Sequence, residues 1–151
     1  MAVFGVSESP HNLARGIAFN LFAFGFQGQI HLIGSRPGEL LGHPILPSLD
    51  TVEGDVDLAV ILTPALSVPG ILEGCGRRGI RRAVIEAGGF AELGEKGRVL
   101  SAELQDVARR HDMRFIGPNC VGVMNFVNGQ VLPLPPLTTG LRKGPVSIVA
   151  Q

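Results

Sequence analysis

Five short apolar runs recur along this chain at nearly even intervals, and their spacing constrains the fold more than any other feature. The runs start 28, 28, 25 and 30 residues apart and cover residues 2–6, 30–33, 58–62, 83–85 and 113–116. They are rich in valine and isoleucine and do not alternate with polar residues, which is typical of strands buried on both faces. We therefore predict five buried strands.

Segments of helical periodicity lie between these runs. Apolar residues recur at spacings of three and four in the segments that begin near residues 13, 68 and 95. Either Ser9, ahead of Pro10, or Asn12 would cap the first helix, and the second would end near Gly76 or Gly79. Alternation of strands and helices predicts an α/β fold: a Rossmann-like, doubly wound, mostly parallel sheet with helices on both faces.

The pattern changes after the fifth run. The segment 126–131 predicts a hairpin, because Asn128-Gly129 supplies both positive-φ residues of a tight primed turn. From Gly144 to Gln151 the chain has the pattern of another buried strand, without the helix that should follow it. We therefore expect one domain over 1–143, and a truncated terminal strand or the start of a following domain over 144–151.

Composition excludes several classes of function. The 13 basic and 13 acidic residues cancel, which argues against a nucleic-acid-binding protein. The apolar runs are far shorter than the roughly 18 residues of a membrane span, and the N-terminus does not resemble a secretory signal. The two cysteines lie 45 residues apart without a CxxC motif, which argues against a zinc site or a disulfide framework. A cytoplasmic protein without a metal site is the expectation.

Small and turn-forming residues follow every predicted strand, at the edge where an open α/β sheet binds its ligand. Backbone N–H groups in such loops, together with the N-terminus of the first helix, can hold a phosphate. A single loop of this kind is common in any such sheet, but five on one edge favour a nucleotide-like ligand. The candidate binding residues are Gly5, Ser7, Ser9, Pro10, Ser35, Arg36, Thr63, Pro64, Ala65, Ala87, Gly88, Gly89, Asn119 and Cys120; none is assigned a catalytic role.

The first two loops narrow the ligand further. The dinucleotide motif GxGxxG is absent, since Ser7 and Pro10 stand where its second and third glycines belong. The second strand is followed by Arg36 instead of the acid that accepts from ribose hydroxyls. Because arginine prefers a phosphate to a diol, an adenine nucleotide with an extra ribose phosphate is implied, either NADP or coenzyme A. The alternative is a solvated Arg36.

Five segments carry a resemblance to a known family. They are Gly5-Val-Ser-Glu-Ser-Pro10, Gly34-Ser-Arg36, Leu62-Thr-Pro-Ala65, Gly89-Phe-Ala-Glu-Leu-Gly94 and Ile116-Gly-Pro-Asn-Cys-Val-Gly122. In this order they resemble the CoA-binding domain of the NDP-forming acyl-CoA synthetases, a superfamily that includes the succinyl-CoA synthetase alpha subunit, ADP-forming acetyl-CoA synthetases and fused protein acetyltransferases. The Gly-Pro-Asn-Cys segment is the most specific of the five.

The resemblance implies that coenzyme A lies along the strand ends. The loop of residues 5–10 would lie near its phosphates, Arg36 would match a family lysine beside the adenosine, and residues 63–65 and 87–89 would line the remainder. Two positions depart from the family. Ala87 stands where relatives often have serine or threonine, and Gly34-Ser35 replaces a more usual Asn-Pro.

The resemblance also implies a reaction for the parent protein. In that family an acyl phosphate forms, the phosphoryl group passes to a histidine of the following domain, and CoA captures the acyl group as a thioester. His11, His31, His43 and His111 are not at that position, and the chain contains no ATP-grasp segment. We expect this chain to bind CoA, to catalyse nothing alone and to need further domains or subunits of a synthetase.

An NADP-binding oxidoreductase module and a non-catalytic CoA- or nucleotide-sensing domain are the alternative functions. Self-association of the isolated chain is a further expectation.

Several single residues have two interpretations. Cys120 either approaches the CoA thiol or packs as a small hydrophobe, and Asn119 either bridges loop and ligand or forms an Asx-turn. Gly16 is expected to let the first helix pack closely on the sheet. Four arginines before the fourth strand are expected at the edge opposite the ligand, as solvated surface or a partner contact: Arg77, Arg78, Arg81 and Arg82.

Overall fold

Three α-helices, three single-turn 3-10 helices and nine strands form the secondary structure of the described part of the chain. In this computed structural model that part comprises residues 1–138, 140–141, 144–145 and 147–148. The helices are α1 (Leu13–Ala23), α2 (Val68–Arg77) and α3 (Glu95–Arg110). The strands are β1 (Ala2–Phe4), β2 (His31–Ile33), β3 (Gly38–Leu40), β4 (His43–Leu46), β5 (Ala59–Ile61), β6 (Arg82–Ile85), β7 (Arg114–Ile116), β8 (Met124–Asn125) and β9 (Gln130–Val131). Among these residues no helix is long and apolar enough to cross a membrane.

Seven strands form one sheet in the order β3-β4-β2-β1-β5-β6-β7. All neighbours are parallel except β3, which pairs antiparallel with β4 at the edge. In the central strand β1, Val3 pairs with Leu32 on one side and with Val60 on the other. Without β3, this is the 3-2-1-4-5-6 strand order of a Rossmann sheet. The predicted fold class and all five predicted strands are confirmed.

Strands β3 and β4 were absent from the prediction. They form a hairpin whose two-residue turn, Leu41-Gly42, has φ values of 54° and 79°. Leucine is rare in the left-handed region, so this pair of residues does not indicate a primed turn. Pro44 interrupts β4, which therefore lacks the apolar run that marks the other parallel strands.

Alternate residues of the central strands face two separate cores, as a doubly wound sheet requires. Toward α1 lie Val3, Leu32, Val60 and Val84, with Ile17 and Leu21 of the helix. Toward α2 and α3 lie Ala2, Ile33, Ile61 and Ile85, with Leu72 and Leu104 of the helices. Burial on both faces explains why these strands are apolar throughout.

Asn12 caps helix α1, and its side chain accepts from the backbone N–H of Arg15. Of the two predicted caps, Asn12 is confirmed and Ser9 is wrong. Gly16 does permit a close approach, but its partner is the C-terminal segment instead of the sheet. A Cβ at this position would lie 1.8 Å from the carbonyl oxygen of Leu134.

The predicted hairpin after β7 exists as β8 and β9, but its turn differs from the prediction. Four residues, 126–129, connect the strands, and of the Asn128-Gly129 pair only Gly129 has a positive φ, at 73°. The Asn128 side chain instead accepts from Gln130 N–H, which stabilises a wider loop. The terminal strand predicted over 144–151 falls partly on residues outside those that the structure describes, so it stays a prediction, as does the domain boundary.

Candidate functional site

A cavity of about 810 Å³ opens at the carboxyl ends of β1, β2 and β5. The chain winds from β1 through β2 to β4 and then returns to β5 on the other side of β1. The cavity therefore lies at the point where the strand order reverses, which is where open α/β sheets bind ligands. The loops that follow the three strands and the inner face of α2 form its walls.

Five of the fourteen predicted site residues line this cavity: Gly5, Ser7, Ser35, Thr63 and Pro64. Ser9 and Pro10 belong to the exposed turn ahead of α1 and do not line the cavity. Arg36 is exposed and follows Ser35 directly. Gly5 and Ser7 of the first loop thus line the cavity, whereas Ser9 and Pro10 of the same loop lie outside it.

The side chain of Asn12 holds the first loop in place, a role that its prediction as a helix cap did not include. Its side-chain amide donates to the carbonyl oxygen of Gly5 over 2.8 Å. Its Oδ1 accepts from Ser7 N–H at 3.3 Å and from Arg15 N–H at 2.9 Å. One side chain therefore fixes both the path of the loop and the N-terminus of α1, which points positive partial charge toward the cavity.

Two glycines allow the loops to pack at the cavity floor. Gly5 has a φ of 92°, and a Cβ there would lie 1.9 Å from the carbonyl oxygen of Leu62. A Cβ on Gly34 would lie 2.2 Å from the carbonyl oxygen of Val6. At both positions the main chains of neighbouring strand ends are in contact, so no side chain is tolerated.

A second group of predicted residues meets at the ends of β6 and β7. Asn119 N–H donates to the carbonyl oxygen of Ala87 over 2.9 Å. Gly89 lies so close to Ala65 that an added Cβ would come within 2.8 Å of the alanine Cβ. The structure thus brings Ala65, Ala87, Gly88, Gly89, Asn119 and Cys120 to one stretch of the sheet edge, beside the cavity but not among its lining residues.

Glu92 accepts a hydrogen bond from a backbone N–H group that was expected to face the ligand. Its Oε1 accepts from Gly89 N–H at 2.7 Å, and this hydrogen bond holds the pKa of the exposed carboxyl below its usual range. The glycine loop after β6 therefore carries a carboxylate at its surface. A phosphate is not expected there.

Cys120 is half-buried, and its Sγ donates to the carbonyl oxygen of Ile85 over 3.4 Å. Burial raises the pKa of the thiol, and the nearby Glu86 contributes in the same direction. A thiol with a raised pKa is a poor nucleophile at neutral pH. This observation favours the packing interpretation of Cys120.

The arginine cluster is not uniformly solvated surface. Arg77 lines the cavity at the C-terminal end of α2. Arg78 donates to the carbonyl oxygens of Leu49, Val52 and Gly54 and so holds the segment before β5. Arg77 nevertheless keeps an exposed side chain, as expected of solvated surface, whereas the expectation was wrong for Arg78, whose three hydrogen bonds attach it to that segment.

The size of the cavity and the positive groups at its ends suit a phosphorylated ligand such as the nucleotide end of coenzyme A. Cavities of roughly 300–1,000 Å³ hold ligands of this kind, and here the N-terminus of α1 faces one end while Arg77 lies at the other. The glycine-lined floor brings backbone close to a ligand, as phosphate binding in this type of sheet requires.

Comparison with known proteins identifies the family. Residues 1–126 match the family described as "CoA binding domain". The chain belongs to this family. Coenzyme A is therefore the ligand that family membership supports, and the sequence-based recognition of the CoA-binding domain is confirmed.

The curated relatives of this CoA-binding domain are longer proteins. It is 34% identical over 151 residues to "Acetate--CoA ligase [ADP-forming] II" of Archaeoglobus fulgidus, covering 100% of this chain and 22% of the relative. It is 33% identical over 158 residues to "Acetate--CoA ligase [ADP-forming] I subunit alpha" of Pyrococcus furiosus, covering 100% of this chain and 33% of the relative. The chain thus spans between a fifth and a third of the length of these relatives.

Solved structures agree with this assignment. A crystal structure of a Pyrococcus horikoshii protein matches 89% of the CoA-binding domain and 31% of its own chain, with a TM-score of 0.83 and 33% identity. The "dinucleotide forming Acetyl-coenzyme A synthetase 1" of Candidatus Korarchaeum cryptofilum, in complex with phosphate and ADP, matches 89% of this chain and 28% of its own, with a TM-score of 0.80 and 32% identity. The Rossmann-like fold is shared.

Proposed function

We propose that this chain is the CoA-binding part of an ADP-forming acyl-CoA synthetase. The observation that carries the proposal is the cavity at the reversal point of the strand order, between β1 and β5, in a chain of this family. The ADP-forming acetate–CoA ligases among its relatives support the synthetase assignment.

In this proposal the nucleotide end of coenzyme A occupies the cavity. Backbone of the loop that begins at Gly5 and the N-terminus of α1 would bind the diphosphate. Arg36 would bind the ribose phosphate from the rim of the cavity through a charge-assisted hydrogen bond. Gly5, Ser7, Ser35, Thr63 and Pro64 support the proposal by lining the cavity.

The thiol-bearing arm would run from the cavity along the carboxyl edge toward β7. Ala65, Ala87–Gly89, Asn119 and Cys120 form one continuous stretch of that edge, which supports this direction. Ser9 and Pro10 would contact the ligand only from the exposed side of the first loop. The arm would then present its thiol to another domain, since this chain supplies the binding surface but not the phosphorylated histidine.

The complete reaction would require the remainder of a synthetase. In the proposed scheme, separate parts contribute the phosphohistidine and the ATP-grasp fold, and the complete protein works in the cytoplasm. The isolated chain binds coenzyme A without forming a thioester. A second copy of the chain would add no missing catalytic group.

Calorimetry with the 151-residue chain tests the proposal. Coenzyme A should bind more tightly than dephospho-CoA, because Arg36 contacts the additional phosphate, and more tightly than NADPH. Tighter binding of NADPH, or absence of CoA binding, would refute the proposal. Thioester formation from acetate, ATP and CoA by the chain alone would refute the division of labour among the synthetase parts.

A further inference from the structure

Glu86 follows β6 at the edge of the sheet that carries the candidate site, and its carboxyl group is buried. The residue is 3% exposed. Neither carboxyl oxygen has a hydrogen-bond partner among the described residues. Leaving a buried polar group unpaired destabilises a fold, so this position calls for a partner that the described residues do not supply.

The sheet register places Glu86 next to the cavity wall. Ile85 pairs with Ile61, and Glu86 N–H continues the ladder by donating to the carbonyl oxygen of Ile61 over 3.0 Å. One residue further on, Glu86 therefore stands beside Leu62 on the α1 face of the sheet. Leu62 lines the cavity, so a ligand that leaves the cavity toward β7 passes Glu86 next.

The chemistry of this carboxyl group is that of a neutral acid. Burial raises the pKa of Glu86 to about 8, so the group carries its proton at pH 7. Its titratable neighbour is Cys120, whose thiol is also neutral at that pH. A neutral carboxylic acid offers one O–H donor beside one carbonyl acceptor, and this donor, which a carboxylate lacks, suits an amide carbonyl oxygen.

The segment that covers Glu86 is irregular, and Leu132 packs against it. Gly122, with a φ of 90°, lies against Oε1, and a Cβ there would come within 2.7 Å of that oxygen. The covering segment has neither helix nor strand between β7 and β8. Its contacts with β6 and the loop after it include the long Sγ–O hydrogen bond of Cys120. A shift of this segment would expose the acid to a ligand lying along the strand ends.

We propose that Glu86 recognises an amide of the thiol-bearing arm of coenzyme A. Its O–H donates to the amide carbonyl oxygen, which points away from the N–H of the same trans amide, so the recognition consists of one hydrogen bond. The inference rests on the proposed function, because the arm of coenzyme A contains two amides while its nucleotide contains none. Glu86 thereby selects for the arm, whereas the cavity residues select for the nucleotide.

Calorimetry at pH 7 with two ligands tests this role. Adenosine 3′,5′-bisphosphate retains a nucleotide portion of coenzyme A but lacks the arm. Glu86→Leu should weaken CoA about tenfold, the loss of roughly one good hydrogen bond, and leave the bisphosphate unchanged. Glu86→Gln should stay close to the unmodified chain, because a carboxamide keeps one donor and one acceptor. Glu103→Gln on the exposed face of α3 is the control.

The outcomes separate the inference from the proposed function. Equal losses for both ligands in Glu86→Leu would show a structural role, and an unchanged CoA affinity would show that no contact exists. Either result overturns the inference but leaves CoA binding intact. If the unmodified chain binds neither ligand, the proposed function fails first.

A second measurement avoids the risk that Glu86→Leu does not fold. In the unmodified chain, the side-chain carboxyl carbon of Glu86 can be followed by NMR after its signal is assigned with Glu86→Gln. Its signal should move when coenzyme A is added and stay in place with the bisphosphate. An equal movement with both ligands, or none with coenzyme A, would overturn the inference.

Discussion

The side-chain amide of Asn20, buried in α1, donates to the carbonyl oxygen of Pro133 over 2.8 Å. The same amide nitrogen donates to Pro135 O at 2.9 Å, and Asn20 Oδ1 accepts from Leu137 N–H at 2.8 Å. One polar side chain thus attaches the proline-rich segment to the helix. Residues 133–137 form neither strand nor helix, so the side chain of Asn20 satisfies carbonyl groups that no backbone ladder pairs.

Asn20→Asp should therefore destabilise the chain although the two side chains are nearly identical in shape. A carboxylate cannot donate to the two proline carbonyls, and it would be a buried charge facing two acceptors. We expect a loss of about 2–4 kcal/mol in the free energy of unfolding, measured by urea denaturation at pH 7. Asn125→Asp is the control, because the exposed Asn125 only accepts, from Val127 N–H, and a carboxylate can do the same. Equal stability of both variants would contradict this role.

Asn12→Asp should separate stability from binding at the first loop. Aspartate caps a helix as well as asparagine does, so we expect the free energy of unfolding to change by less than about 1 kcal/mol. Coenzyme A should nevertheless bind several-fold more weakly, because the new charge lies beside the proposed phosphate site and the donor to Gly5 O is lost. The charge-dependent part of the loss should shrink as salt rises. Undiminished CoA affinity at low salt would place the phosphates elsewhere.

Much of the fold could be predicted from sequence, because strands buried on both faces leave uninterrupted apolar runs. The edge hairpin could not, since its turn depends on Leu41 in a left-handed conformation that local sequence does not favour. The role of Asn20 could not be predicted for a related reason. A polar residue beside an apolar helical stripe has no local partner, and its three hydrogen bonds reach residues more than 110 positions away.

The candidate site was predictable in part. Gly5 directly follows β1, and Ser35 and Thr63 come two residues after β2 and β5, so strand prediction also placed them on the ligand edge. Arg77 could not be placed in this way, because it belongs to a helix whose direction across the sheet is a tertiary property. Glu86 follows an apolar run, where an acid ordinarily indicates the exposed end of a strand. Its burial results from the later segment around Gly122, which packs over it.

Substitutions of the two arginines near the cavity should affect the binding of coenzyme A and of dephospho-CoA differently. If Arg36 binds the ribose phosphate, Arg36→Glu should weaken coenzyme A by roughly 1.5–3 kcal/mol and dephospho-CoA much less. Arg77→Gln should weaken both ligands to a similar, smaller extent, because Arg77 lines the cavity without being assigned to that phosphate. Titration calorimetry measures both, with Arg114→Gln at the opposite sheet edge as the control. A selective effect of Arg77→Gln would transfer the phosphate contact to Arg77.

Glu86 should also make the stability of the unliganded chain fall as pH rises. The pKa of the folded chain's Glu86 is about 8, against an ordinary value of 4.5, so the folded state retains a proton that the unfolded state releases between these values. The free energy of unfolding should therefore decrease by up to roughly 1.4 kcal/mol for each pH unit from about 5 to 8 and level off above. Glu86→Gln removes the proton difference, so its stability should depend less on pH over this interval, while Glu103→Gln should follow the unmodified chain. Urea denaturation at pH 5, 6.5 and 8 measures the slopes. Parallel curves for the unmodified chain and Glu86→Gln would show that Glu86 is already ionised in the folded state at neutral pH.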